Sequence, residues 1–266
     1  MNNPINFWKP ETFEISSFKY NLNERVNKSY KTSGSDNSGL CTYTYNELGF
    51  RGESIHKEGF KIMSIGCSHT EGVAINDNET WPSQICSLIP NSVNLNFGTG
   101  GRSVDFVVRC LFSFYDLIKP NLVLIMYPNA YRREIYTKIN GVEPYMPTQQ
   151  WGYLAETKDG VKSQECLNYL QNDYDDVINW YKNHLLIKNF LENKKSNWIW
   201  NGFTHYKHPL LKQYTSDFIE ENRFDGDYGD FIDLGVDKLH PGPKHNHEYS
   251  KKLYTHIKNN FPHFLP

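Results

Sequence analysis

Ser68, Asp237 and His240 are the residues of this 266-residue chain whose types and settings could together carry out covalent chemistry. Ser68 follows the apolar run Ile62-Met63-Ser64-Ile65, in a turn framed by Gly66 and Gly72. Such a segment ends a buried strand and presents a hydroxyl at the rim of a sheet. A serine hydroxyl is a poor nucleophile and needs a base to take its proton as it attacks. His240 suits that task, and Asp237, three residues earlier on the same loop, can fix the tautomer of the ring and stabilise the imidazolium. Pro241 and Gly242 restrict and turn the chain directly afterwards. On a parallel sheet, the loop after the first strand and a loop after a late strand meet at the C-terminal edge.

Attack on an ester carbonyl also needs donors aimed at the oxyanion. The candidates are the Ser68 N–H, the N–H of Gly101 in the glycine-rich turn Asn96-Phe97-Gly98-Thr99-Gly100-Gly101, and the side-chain amide of Asn129. All three follow successive expected strands. Arg132 and Arg133 beside that edge are candidates for binding a carboxylate or phosphate of a substrate. Cys67 is expected to point away from the nucleophile position, and His69 to sit at the rim. His245 and His247 have no matching carboxylate or cysteine set, so they read as surface histidines and no metal is expected.

The elements that must position these groups alternate between strand and helix. Cys41 to Tyr45 has strand character, and Asn46 to Gly52 turns the chain. Lys61 to Gly66 is a core strand, and Trp81 to Ile89 a helix capped near Glu79 or Thr80. Ser92 to Asn96 is a short strand, and Val104 to Ile118 an amphipathic helix. Asn121 to Tyr127 is a continuous apolar strand bounded by prolines. This order predicts parallel crossovers. Two hairpins, or one long decorated loop, are expected next, through Glu134 to Asn140-Gly141 and through Tyr153 to Asp159-Gly160. A helix from Asp173 to Asn193, a strand from Ser196 to Phe203 and a closing helix from about His247 to Asn260 complete the pattern.

Four blocks resemble those of the SGNH (GDSL-type) hydrolase family. Gly66-Cys67-Ser68-His69-Thr70-Glu71-Gly72 is similar to its first block, with Cys67 where the family has aspartate. Asn96 to Gly101 resembles the second block, and Tyr127-Pro128-Asn129 the third, which here has Tyr127 and Ala130 in place of glycine and aspartate. Asp237-Lys238-Leu239-His240-Pro241-Gly242 resembles the last. The likeness runs from about Asn46 to Asn260. It implies an α/β, flavodoxin-like three-layer α/β/α fold with a mainly parallel central sheet, and hydrolysis or transfer of acyl esters.

The formal charge of -2 gives no general attraction to nucleic acid, and the five cysteines are widely spaced with no CxxC pair. No run approaches the ~20 apolar residues of a membrane span, and the N-terminus lacks a basic then apolar leader pattern. A cytoplasmic protein without stable membrane insertion is the expectation. Residues 1–45 are expected to form an extension packing on the core, and 46–266 the hydrolase-like domain, with an insertion at about 131–172. The expected activity is that of a serine esterase on a small-molecule or glycan ester, a short acyl group such as acetyl being favoured, with no cofactor. The alternatives are an acyltransferase using the same residues and a non-catalytic glycan- or lipid-binding module.

Overall fold

The structure, a computed structural model, describes residues 29–32, 41–136, 145–148, 172–202, 222–226 and 230–266. Strands β1 (Ser29–Thr32) and β2 (Cys41–Thr44) pair antiparallel. The central sheet follows with β3 (Phe60–Gly66), helix α1 (Ser68–Glu71), α2 (Trp81–Leu88), β4 (Ser92–Gly98), α3 (Val104–Ile118) and β5 (Leu122–Tyr127). A second antiparallel pair, β6 (Arg133–Tyr136) and β7 (Tyr145–Thr148), precedes α4 (Asp173–Asn193), β8 (Trp198–Gly202) and α5 (Pro243–Asn260).

The four central strands are all parallel, in the order β4-β3-β5-β8. Counted along the chain, this is the order 2-1-3-4 of flavodoxin-like doubly wound sheets. A rudimentary fifth position is filled by Asn222 to Phe224. There the Trp200 N–H donates to the Asn222 carbonyl at 2.9 Å, and the Phe224 N–H to the Trp200 carbonyl at 2.8 Å.

Side-chain alternation divides β3, β5 and β8 between two cores, while β4 gives its apolar face to the first alone. On β5, Val123, Ile125 and Tyr127 join a core built with α3 and α4 residues such as Val107, Leu111, Trp180 and Ile187. Leu122, Leu124 and Met126 join a second core with α2 and α5, through Trp81, Ile85, Tyr249, Leu253 and Ile257. Burial on both faces is why β5 reads as an unbroken apolar run. The layers are helix, sheet, helix, as expected.

The helix starts follow local capping chemistry. Thr80 accepts from the Ser83 N–H at the head of α2, and Ser103 from the Phe106 N–H at the head of α3. Two of the boundaries that differ from the expected ones have a clear local cause. Strand β4 runs on to Gly98, because its pairing with β3 continues through Gly66. Helix α5 begins at Pro243 rather than near His247: proline suits its first position, and the Asp233 carboxylate accepts from the Lys244 and His245 N–H groups at 3.1 and 2.8 Å. His245 is buried there, its Nδ1 accepting from the Ile232 N–H at 3.3 Å, so it is not a surface residue. His247 Nδ1 lies 3.0 Å from Gln84 Oε1.

The first expected hairpin arm is β6, whose partner is β7; the second hairpin lies outside the described residues. Of the expected N-terminal extension, only residues 29–32 and 41–45 are described. Among the described residues, no helix is long and apolar enough to cross a membrane.

Behind β5 and β8, the His184 ring stacks on Trp180 with centroids 5.2 Å apart, and its Nδ1 lies 3.1 Å from the Tyr127 hydroxyl. Trp198 and Trp200 complete the enclosure. Burial, with Lys188 adding positive charge, pushes the imidazole down to about 3. Its folded value therefore lies below the ordinary unfolded one near 6.5, so the unfolded chain binds the extra proton and stability falls as pH drops between those values. One such histidine contributes a slope of about 1.4 kcal/mol per pH unit through pH ~6 to ~4. Urea unfolding across that range should show this loss. His184→Phe should remove about that much of the slope whatever it does to stability at pH 7; an unaltered slope would point to a different residue.

Candidate active site

β3 stops at Gly66, Cys67 caps the next turn, and Ser68 opens α1 with its side chain at the C-terminal edge of the sheet. The turn is tight. Thr70 and Glu71 N–H groups donate to the Cys67 carbonyl at 3.0 and 2.9 Å, and Gly72 N–H to the Ser68 carbonyl at 2.9 Å. Gly72 ends the helix at φ +77°, a left-handed conformation that glycine adopts without strain.

Neighbouring β4 comes unusually close to this turn. A Cβ at Gly98 would lie 2.2 Å from the Glu71 backbone nitrogen and 2.5 Å from the Thr70 carbonyl carbon. Only a strand end without a side chain can let α1 settle there. Asn96 fastens the contact: its side-chain amide donates to the Thr70 carbonyl at 2.7 Å, and its oxygen accepts from the Gly98 N–H at 2.9 Å.

Glu71 is a residue that sequence reasoning passed over. Its buried carboxylate accepts from the Gly100 N–H at 2.6 Å and from the Tyr45 hydroxyl at 3.1 Å. It thus joins the serine turn to the glycine-rich loop, where a Cβ on Gly100 would be 3.9 Å from that of Ser68. Gly100 N–H is consumed in this way. Gly101 N–H and Ser68 N–H make no hydrogen bond among the described residues. Asn129, half-buried just past β5, donates through Nδ2 to the Tyr131 hydroxyl at 2.9 Å, which uses one of its two amide hydrogens.

The second component is the Asp237–His240 loop. His240 Nδ1 lies 2.6 Å from Asp237 Oδ2, while Asp237 Oδ1 accepts from the Leu239 and His240 N–H groups, each at 3.0 Å. Burial pushes the Asp237 carboxyl up. The backbone donors and the imidazole outweigh it, so the group sits below the usual carboxylate range. A carboxylate bonded in this way holds the proton on Nδ1 and leaves Nε2 as the acceptor. The Asp237 side chain is 3% exposed and that of His240 25%, so the pair presents the imidazole rather than the carboxylate.

Two contacts seat this loop beside the serine. Val236 N–H donates to the Ala74 carbonyl, just past α1, at 3.1 Å. The His240 ring packs edge-on against His69, the residue after Ser68, with centroids 5.8 Å apart. His69 also meets Phe231 edge-on, and burial first, then the charges of His240 and Arg132, push it down to about 3. It is half-buried at the rim and stays neutral at ordinary pH.

The two arginine candidates separate. The Arg133 guanidinium is ion-paired to Asp175 at 2.6 Å and Asp176 at 3.2 Å on α4. Arg132 stays beside the site, its Nη1 reaching the Arg102 carbonyl at 3.5 Å.

No protein-family model matches the chain, nor does any curated protein. Among solved structures, the chain is similar to a member of the lipolytic protein G-D-S-L family from Veillonella parvula. That likeness spans 76% of this chain and 98% of the other, at 14% identity and a TM-score of 0.35. It is also similar to a carbohydrate acetylesterase family member from Sinorhizobium meliloti, over 75% of this chain and 97% of the other, at 10% identity and a TM-score of 0.31.

The backbone contact at Gly98 makes the serine turn sensitive to a single methyl group. Gly98→Ala should cost about 2 kcal/mol in urea unfolding, the usual range for forcing an atom into a packed site. Gly100→Ala should cost clearly less, since its Cβ would first meet the Glu71 carboxylate at 3.2 Å, an atom on a side chain rather than on the backbone. Equal costs for the two would rule out the strand–turn contact as the cause.

Proposed function

We propose that the chain is a serine esterase of the SGNH type, in which Ser68, His240 and Asp237 act as nucleophile, base and orienter. The observation that carries this is the hydrogen-bonded Asp237–His240 pair, seated by Val236 and His69 against the turn that bears Ser68. In the first half-reaction the Ser68 Oγ attacks the ester carbonyl carbon as His240 Nε2 takes the hydroxyl proton. The tetrahedral oxyanion is met by the N–H groups of Ser68 and Gly101 and by the amide hydrogen that Asn129 does not give to Tyr131. Each such donor is worth about 3–4 kcal/mol of transition-state stabilisation. The C–O bond to the alcohol then breaks, the alcohol leaves with the proton from His240, and an acyl–Ser68 ester remains. Water attacks that ester as His240 takes one of its protons. The acid departs and the proton returns to Ser68 Oγ.

Asp237 needs to stay ionised throughout, and its three donors hold it so. The substrate we favour is an ester of a short acyl group, acetyl on a carbohydrate being the leading case. The choice of a short acyl group follows from a sequence in which no long apolar lid helix is evident.

A fluorophosphonate probe tests the nucleophile directly. It should phosphonylate Ser68 Oγ with loss of fluoride, and Ser68→Ala should abolish labelling together with turnover of 4-nitrophenyl acetate. Asp237→Asn should lower kcat by about 10³–10⁴-fold, because the wrong tautomer of His240 is then favoured. Asn129→Ala should lower it by roughly 10²–10³-fold. Folded protein that neither labels nor hydrolyses short esters near pH 8 would end this proposal.

A further inference from the structure

Arg132 differs from three other arginines around the site, Arg51, Arg109 and Arg133. The Arg51 guanidinium gives all its donors to Asp77 and to the carbonyls of Thr42, Glu71, Gly72 and Ile75. Arg109 forms a buried ion pair with Glu134, and Arg133 pairs with Asp175 and Asp176. Arg132 has no carboxylate partner among the described residues. Its Nε is enclosed and makes no hydrogen bond, and Nη1 has only the long contact to the Arg102 carbonyl. Partial burial of a guanidinium with idle donors is unfavourable unless an anion joins it.

Its position gives that anion a place. Arg132 N–H donates to the Asn129 carbonyl at 3.2 Å, so the residue rides on the loop that presents Asn129. At its other end the guanidinium meets the carbonyl of Arg102, the residue after Gly101. It therefore spans the two loops whose donors face the oxyanion. Its charge also reaches His69, whose ring packs on His240. The carboxylates nearby cannot neutralise it. Glu71 is held by Gly100 and Tyr45, Asp237 by His240, and Asp105 by the Glu134 N–H, Asn179 and Asn183.

We infer that Arg132 binds an anionic group, a carboxylate or its equivalent, carried by the ester itself, so that the substrate supplies the missing counter-charge. A guanidinium fork matches a carboxylate in plane and spacing, which gives selection as well as attraction. The inference rests on the esterase proposal for Ser68, and it makes Arg132 a specificity-determining residue rather than part of the proton relay.

Two matched pairs of esters test it and show on which side the charge sits. For the acid side, mono-4-nitrophenyl succinate is compared with 4-nitrophenyl butyrate. For the alcohol side, 4-acetoxybenzoate is compared with its methyl ester. In the wild type, kcat/KM should favour the anionic member of at least one pair by tenfold or more. Arg132→Gln should reduce that ratio at least tenfold, and Arg132→Lys should keep part of it. A wild type indifferent to charge in both pairs, or a ratio that Arg132→Gln leaves intact, overturns the inference.

Binding separates this outcome from failure of the esterase proposal. Calorimetry with succinate and with 4-hydroxybenzoate on Ser68→Ala protein should give binding that Ser68→Ala/Arg132→Gln loses, even where no ester is turned over. Absence of binding in both proteins counts against Arg132, whatever Ser68 does.

Discussion

The site depends on one buried cation. Arg51 is 1% exposed, yet every donor of its guanidinium is used: Nε to Asp77 at 2.6 Å, Nη1 to the Glu71 and Gly72 carbonyls at 2.9 and 2.5 Å, and Nη2 to the Thr42 and Ile75 carbonyls at 3.1 and 2.7 Å. The face of Tyr43 lies 3.9 Å from its centre. Removing such a charge from water costs several kcal/mol, and only complete pairing offsets that. What the pairing secures is the irregular chain from Glu71 to Asp77. Those carbonyls have no sheet or helix partner, and buried main-chain acceptors need donors. Arg51 supplies them from the other side of the loop, and so fixes where α1 ends and where Ala74 offers its carbonyl to Val236.

From that anchor the contacts run outward in a connected order. The Tyr43 hydroxyl accepts from the Ala74 N–H at 2.6 Å, and the Tyr45 hydroxyl donates to the Glu71 carboxylate. Glu71 grips Gly100, and Gly98 lets α1 lie against β4. Strand β2 is therefore part of the site's foundation although it lies outside the central sheet. Shape and charge act together here. The close approach at Gly98 would be useless without Asn96 and Glu71 to hold the turn down, and those bonds could not form if Gly98 carried a side chain.

Much of this was legible in the sequence, for identifiable reasons. The strands β3 and β5 announce themselves because both faces are buried, and the serine turn and the Asp237–His240 loop because their chemistry is local in sequence. What was hidden is long-range. Arg51 binds carbonyls, which carry no residue identity, and its carboxylate partner among the described residues is Asp77. Glu71 looked like one more polar residue in a turn. Arg133 read as a rim cation until α4, some forty residues on, brought Asp175 and Asp176 to it. The start of α5 was misplaced because its cap comes from Asp233, outside the helix, and not from the adjacent Gly242.

The two halves of the candidate site are held by different kinds of structure, strand ends on one side and a loop on the other. Ser68, Gly101 and Asn129 each follow the end of a central strand, so the sheet sets their mutual positions. The Asp237–His240 pair hangs on a loop without regular structure, seated by Val236, by the bond from Gly235 N–H to the His240 carbonyl at 2.8 Å, and by Asp233 at the head of α5. Its internal geometry does not depend on that seating, because carboxylate and imidazole are three residues apart and share backbone donors. A small shift of the loop would move the pair as a unit relative to Ser68 while leaving the tautomer of His240 intact. Under the proposed mechanism the oxyanion donors act at fixed distances, which suits groups placed by the ends of strands. A base that must first accept and then return a proton can ride on a loop, provided its orienter rides with it.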